Sequence, residues 1–173
     1  VLFVEYDLAL ADSISSMYRL MFDLLLKRVL SQGIEHIGNV WIFLDELRML
    51  PAMSSLDRAL NVGRSNHLHI IAACQSVSQL YTVYKEDEAS SILEGFTNLI
   101  AFRSDDKKTR EVISNRAGDN YQNITLSTYS GEKVVTREGK AVESWEISDL
   151  ETGEAFVLLS DRGQFKFRFP EYT

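Results

Sequence analysis

The sequence predicts an α/β fold with a mostly parallel sheet flanked by helices. Short apolar strand candidates alternate with helical segments, the pattern of βαβ units. The strand candidates are apolar at consecutive positions, as strands covered on both faces are. One of them ends in two adjacent carboxylates, as a central strand does where its C-terminal end opens onto a ligand site. The 173 residues, 45% hydrophobic and 25% charged, suit one domain or one domain with a small appendage. Those proportions exclude a disordered, collagen-like or coiled-coil chain. No apolar run approaches the roughly 20 residues of a membrane helix.

Residues 1–6, Val-Leu-Phe-Val-Glu-Tyr, are β-branched and aromatic and are expected as a buried strand. Asp12 and Ser13 offer N-caps, and Ile14, Met17, Met21, Leu24, Leu25 and Val29 recur at helical spacing. A helix is expected from about Ser13 to Leu30, stopped by Gly33 and buried between a sheet and another layer. Residues 39–46 give five consecutive apolar residues followed by Asp45 and Glu46, a central parallel strand. Pro51 breaks the chain, and a helix follows over about 54–63 with Leu56, Ala59, Leu60 and Val62 as its apolar positions. Residues 67–74 form the next strand, ending in Cys74, which is expected as a small buried hydrophobe. Helices near 77–84 and 86–95, a strand over 99–102 and a charged helix from Asp105 to Ala117, capped by Gly118, complete this part.

Residues 119–145 are rich in Ser, Thr, Asn and Gly, with turn signals at Ser130-Gly131 and Glu138-Gly139. They read as irregular or as a loose β-excursion. Residues 154–159 read as a strand and 161–163 as a turn. Residues 164–169 alternate strictly and are expected as a half-buried edge strand. The expected organisation is therefore 1–118, an insertion at 119–145, and a closing β-hairpin over 146–173.

Lys and Arg total 18 against 25 Asp and Glu, a net charge of −7. That argues against a whole-surface electrostatic nucleic-acid binder but leaves room for a local basic strip or a pore lined by a few cations. A single cysteine excludes an intrachain disulfide and a multi-cysteine metal site, and fits a reducing compartment. The sequence starts at Val1, inside a strand candidate, with no initiator Met and no targeting segment. It is expected to be part of something longer.

Four residues at three places in the sequence point to phosphate chemistry. Asp45 and Glu46 stand at the end of an apolar strand, where an Asp can hold Mg2+ through water and a Glu can polarise an attacking water. Gln75 follows the next strand, where a polar residue can contact the γ-phosphate or that water. Arg64, nineteen positions after Asp45, lies between a helix and a strand and could reach a neighbouring subunit's γ-phosphate. Each has an ordinary alternative: an acidic turn, a solvated loop glutamine, an exposed loop arginine.

Together these residues resemble the type IV coupling proteins, hexameric, membrane-anchored, RecA-like ATPases that recruit DNA to conjugative transfer and type IV secretion machines. The matching features are Val-Trp-Ile-Phe-Leu-Asp-Glu-Leu (40–47), Leu-Pro (50–51), Leu-Asp-Arg-Ala-Leu (56–60) and Gly-Arg (63–64). Leu-His-Ile-Ile-Ala-Ala-Cys-Gln-Ser-Val-Ser-Gln-Leu (68–80), Tyr84 and the acidic helix start at 85–89 follow in order. Gln-Ser-x-Ser-Gln-Leu is much more specific than Asp-Glu alone. The motifs are sharp over about 40–118, and the tail from Glu143 to Phe169 matches more loosely.

The resemblance implies a RecA-like P-loop NTPase fold, with residues 1–118 as the C-terminal half of the motor domain. It implies ATP and Mg2+ as cofactors. Asp45 would assist Mg2+, Glu46 would activate water, Gln75 would sense the γ-phosphate, and Arg64 would be a trans-acting arginine finger. It implies single-stranded DNA or a relaxase–DNA complex, secretion-channel components and a homo-hexamer as partners. The location implied is the cytoplasmic domain of a bacterial inner-membrane protein, with the membrane reached only through an N-terminal anchor absent from this sequence. One departure is plain: no Gly-x-x-x-x-Gly-Lys-Ser/Thr loop occurs here. Alone, the chain is expected neither to bind ATP tightly nor to hydrolyse it.

Two rival readings remain open. One is another RecA-like DNA translocase of the chromosome-segregation type. The other is a degenerate or stand-alone docking module without catalysis, which the absent phosphate loop favours and the four retained polar positions oppose. His67 and His69 alternate on a strand and His36 is remote, so no metal site is expected there. Lys107, Lys108 and Arg110 read as a solvated helix face. Lys166 and Arg168 alternate with Phe165, Phe167 and Phe169, which suits either an edge strand with its charges in water or contact with single-stranded DNA. Strands lacking their upstream neighbours should leave apolar faces uncovered, giving self-association or a mobile N-terminal region.

Overall fold

A computed structural model describes residues 1–5, 11–31, 38–128 and 131–171. Tyr6, Gly33, His36 and Ser130, each part of an expectation above, lie outside the described residues. The chain divides into two compact units, Val1–Phe96 and Thr97–Thr173, a boundary inside the segment 1–118.

In the first unit, helix α1 spans Ala11–Ser31 and strand β1 spans Val40–Leu44. One turn of 3-10 helix follows at Leu47–Met49, then α2 at Leu56–Val62 and a second such turn at Gly63–Asn66. Strand β2 is Leu68–Ala72, α3 is Val77–Val83 and α4 is Glu86–Gly95. β1 and β2 pair in parallel, Val40 opposite Leu68 and Leu44 opposite Ala72, with α2 in the crossover. This is the βαβ unit that the alternation predicts.

The helices cover one face of that pair. Leu44, Leu47, Met53, Leu56, Leu80, Tyr84, Ala89 and Ile92 form one buried cluster, and Leu26, Val29, Ala59 and Leu68 form another. Val40, Ile42 and Ile70 pack against these clusters. Trp41, Phe43, His69 and Ile71 alternate to the opposite face. Trp41 stacks on His69 at 4.3 Å between centroids, yet Trp41 is 55% and Phe43 69% exposed. The expectation of a doubly covered pair is corrected: the described residues cover only one face.

Two further expectations change here. Residues 1–5 form no strand, and Phe3 is 90% exposed, because no described strand lies alongside to pair with them. Helix α1 is buried along one stripe only. Leu26 and Val29 face inward while Met17, Leu20 and Leu24 remain exposed.

The start of α2 is tied to α1 by a buried carboxylate. Asp23 accepts the N–H of Ser55 at 3.0 Å and the hydroxyl of Ser54 at 3.0 Å. Ser55 is the N-cap of α2, so Asp23 satisfies a donor at the helix start from 32 residues away.

In the second unit, β3 is Leu99–Phe102, α5 is Lys107–Ala117, β4 is Asp119–Thr128 and β5 is Gly131–Lys140. Helix α6 is Ser144–Ser148, and β6 and β7 are Glu154–Leu159 and Gly163–Arg168. The sheet order is β3-β6-β7, antiparallel throughout. Ala101, Phe156 and Leu158 face a core with Ile113, Val142, Ile147 and Leu150. Asp106 caps α5 by accepting the Thr109 N–H at 2.9 Å. Glu143 and Glu146 close both halves of a capping box at α6.

β7 is an edge strand, as its alternation predicts, but it is exposed along its whole length rather than half-buried. Its charges are paired: Lys166 meets Glu154 at 2.8 Å and Arg168 meets Glu151 at 3.1 Å. The Lys166 hydrogen bond, then the one from the Glu151 N–H, holds the Glu154 carboxyl below its usual range. Residues 119–140 adopt the β-excursion alternative as a regular antiparallel hairpin, Asp119 opposite Lys140 through Thr128 opposite Gly131. Its base is fastened by an ion pair between Lys140 and Asp119 at 2.7 Å and by the Ala141 N–H to the Gly118 carbonyl at 2.9 Å.

Candidate active site

Parallel pairing brings the C-terminal ends of β1 and β2 to one edge, and the ladder continues past both strands. Ala73 donates its N–H to the Leu44 carbonyl at 2.8 Å and accepts the N–H of Leu47 at 2.8 Å. In a regular parallel ladder those two partners stand two positions apart; here they stand three apart. Asp45 and Glu46 together therefore fill a step that one residue would fill, a bulge. A bulge releases successive side chains from strict alternation and re-aims them, and these two carboxylates occupy it.

Asp45 is exposed and Glu46 is partly buried. The Oε1 atom of Glu46 is buried and has no hydrogen-bond partner among the described residues. Opposite, just past β2, stand Cys74 and Gln75, both exposed. The reading of Cys74 as a buried hydrophobe is thus corrected, because it lies beyond the end of the strand at the open edge. Local loss of water raises its thiol pKa, and the negative field of Glu46 raises it further. Glu46 and the Cys74–Gln75 end of β2 therefore share one electrostatic environment.

Arg64 is not part of this cluster. It lies in the turn before β2, at the opposite end of the strand, roughly 15 Å away at ~3.3 Å per residue. Arg64 is exposed and makes no ion pair among the described residues. Its neighbour explains the Gly-Arg pairing. Gly63 is buried, and a Cβ there would meet the Leu68 side chain at 3.1 Å. A larger residue at this turn would require the Leu68 side chain to give by a few tenths of an ångström.

Sequence reasoning overlooked two polar residues of this unit. Asp23 reads as a charge interrupting an apolar helix. Gln79, inside the Gln-Ser-x-Ser-Gln-Leu stretch, has a buried Oε1 with no partner among the described residues. The stretch itself was the signal, but nothing in its spacing separates a capping glutamine from one aimed elsewhere. Ser76 does cap α3, accepting the Gln79 N–H at 3.4 Å.

Known proteins share this architecture. The unbound bacterial conjugative coupling protein TrwBdeltaN70 superposes with a TM-score of 0.77 at 27% identity, covering 94% of this chain and 40% of that one. The plasmid coupling protein TrwB in complex with the non-hydrolysable ATP analogue ADPNP gives 0.72 at 26%, with 94% and 38% covered. TrwB in complex with ADP and Mg2+ gives 0.72 at 26%, with 94% and 39% covered. The chain thus spans about two fifths of the length of the structures it matches. The fold is of the α/β, RecA-like P-loop NTPase class. No curated protein matches the chain in sequence. The family described as "TraM recognition site of TraD and TraG" matches residues 39–153, and the chain belongs to that family.

Proposed function

We propose that this chain is the part of an ATP-driven coupling protein that supplies the hydrolytic carboxylates. The whole protein would be a hexamer that recruits DNA, or a DNA–protein substrate, and moves it into a conjugative type IV secretion channel. The bulged step carrying Asp45 and Glu46 beside Gln75 is the observation that supports this most directly. Ligand sites of open α/β sheets lie at such strand ends.

The residues fit a nucleotide with Mg2+. No group of three or more His, Cys, Asp or Glu among the described residues could hold a metal alone. One exposed carboxylate, Asp45, suits an ion that keeps several waters and shares its coordination with phosphates. Bound there, Mg2+ supplies charge neutralisation to the phosphate oxygens. Glu46 orients the attacking water and accepts its proton. Gln75 offers a carboxamide to the γ-phosphate side. Arg64, far from this edge, suits contact with a neighbouring subunit's nucleotide.

The phosphate loop is not in this sequence, so the chain alone should neither bind ATP tightly nor hydrolyse it. The matched family's description supports a TraM-type relaxosome partner. Relaxase-bound single-stranded DNA and channel components complete the proposed set. No helix among the described residues is long and apolar enough to cross a membrane. The chain is proposed as a cytoplasmic segment of a protein anchored in the inner membrane elsewhere.

The test uses the full-length protein and DNA-stimulated phosphate release. Glu46→Gln should lower turnover about a hundredfold or more with nucleotide affinity retained. Unchanged turnover removes Glu46 from the mechanism. Arg64→Ala should lower turnover on the order of a thousandfold with nucleotide binding nearly intact. Equal loss of both would make Arg64 structural.

A further inference from the structure

Two buried oxygens in the first unit lack hydrogen-bond partners among the described residues: Oε1 of Glu46 and Oε1 of Gln79. Burying a polar atom without a partner is costly, so each needs an explanation. They belong to neighbouring elements. Glu46 immediately precedes the turn Leu47–Met49, and α3, which carries Gln79, packs against that turn. The next residue after each, Leu47 and Leu80, enters the same buried cluster. Ala73, whose backbone holds the bulge containing Glu46, lies three residues before the Ser76 cap of α3.

The local role of Gln79 is only half used. Ser76-x-x-Gln79 has the spacing of a capping box, in which the glutamine oxygen would accept the N–H of the capping residue. The serine half is made, but Gln79 Oε1 accepts nothing among the described residues. At α6 both halves of the equivalent box are closed, so the local geometry of this chain permits the full motif.

We infer that Gln79 is a positioning residue for Glu46. A half-turn of its carboxamide exchanges acceptor for donor. Nε2 then serves the Glu46 carboxylate, directly or through one water, and Gln79 Oε1 leaves its buried place for the one Nε2 held. That bond fixes one oxygen of Glu46 and leaves the other to the attacking water. Gln79 touches no reacting atom in this arrangement and acts only through Glu46.

The inference rests on Glu46 being the hydrolytic carboxylate, and two experiments separate the claims. In the full-length protein, Gln79→Met keeps the side-chain length and removes the donor. It should lower kcat for ATP hydrolysis ten- to a hundredfold with KM for nucleotide unchanged. Wild-type kcat, or a loss of thermal stability alone, would overturn the inference and leave Gln79 a helix cap. In the 173-residue chain, the Gln79 side-chain amide protons should exchange more slowly than those of exposed Gln75. They should shift on Glu46→Met. Amide resonances unmoved by Glu46→Met would overturn the pairing even if Glu46→Gln abolishes turnover. Should Glu46→Gln leave turnover intact, the hydrolytic reading fails while the amide shift still decides the pairing.

Discussion

Tyr84 is 3% exposed, and its hydroxyl accepts the N–H of Met53 at 3.2 Å. Replacing it with Phe keeps the ring and leaves that buried N–H without its acceptor, which should cost about 1–3 kcal/mol in urea unfolding. Burial, ahead of the smaller effects of Glu88 and Asp23, raises the Tyr84 pKa above its ordinary 10.0. The Met53 hydrogen bond and Arg19 oppose that shift. The folded state thus holds a proton that the unfolded chain releases first. Its contribution is full below pH 10.0 and lost as pH rises through the folded value. Tyr84→Phe should flatten that alkaline decline; identical slopes in both proteins would refute the assignment. Asp45, Glu46 and Gln75 stood out in the sequence as candidates because apolar runs immediately precede Asp45-Glu46 and Gln75. Asp23 did not, since its partners are Ser54 and Ser55, a helix and a strand away.

At the scale of elements, α2 and α4 approach through a glycine. A Cβ on Gly95 would lie 2.7 Å from Cβ of Leu60, an atom too near its backbone to swing aside. Gly95→Ala should therefore force the helices apart and cost about 1–3 kcal/mol, despite the better helix propensity of Ala. A rise in the unfolding midpoint would contradict this packing. The elements themselves were largely readable, because apolar runs and helix-start residues such as Asp105 and Asp106 are local signals. Pairing partners were less so. β3 reads like β1 and β2, all short apolar runs, yet it runs antiparallel to β6. The bulge at Asp45–Glu46 leaves no mark in the sequence, since it exists only in the hydrogen bonds that Ala73 makes on both sides of it.

At the scale of the molecule, each unit leaves large apolar side chains exposed on one sheet face. In the first these are Trp41, Phe43 and Ile71. In the second, Ile100 and Phe102, each 52% exposed, with Phe165 and Phe167, flank Ala155 and Val157, which are buried on the same face. Apolar surface on this scale drives association in water. The 173-residue chain should self-associate in sedimentation velocity, and sulfate should strengthen the effect, because apolar contacts grow under salting-out while charge contacts are screened. A monomer at millimolar concentration, with or without sulfate, would refute this. The net charge of −7 opposes association only weakly at physiological salt.

The hairpin of β4 and β5 closes its own base. The Gly118–Ala141 hydrogen bond and the Asp119–Lys140 ion pair meet where it leaves the fold, and among the described residues it hydrogen-bonds to no third strand. Beyond those joints and the contact of β5 with α5, its length is set by its own ladder. Evolution can lengthen, shorten or exchange this arm without disturbing what lies beneath it, so relatives should differ most here and hold the two joints constant. An engineer inherits the same freedom: a foreign sequence spliced between Asp119 and Lys140 enters at a point already stitched shut.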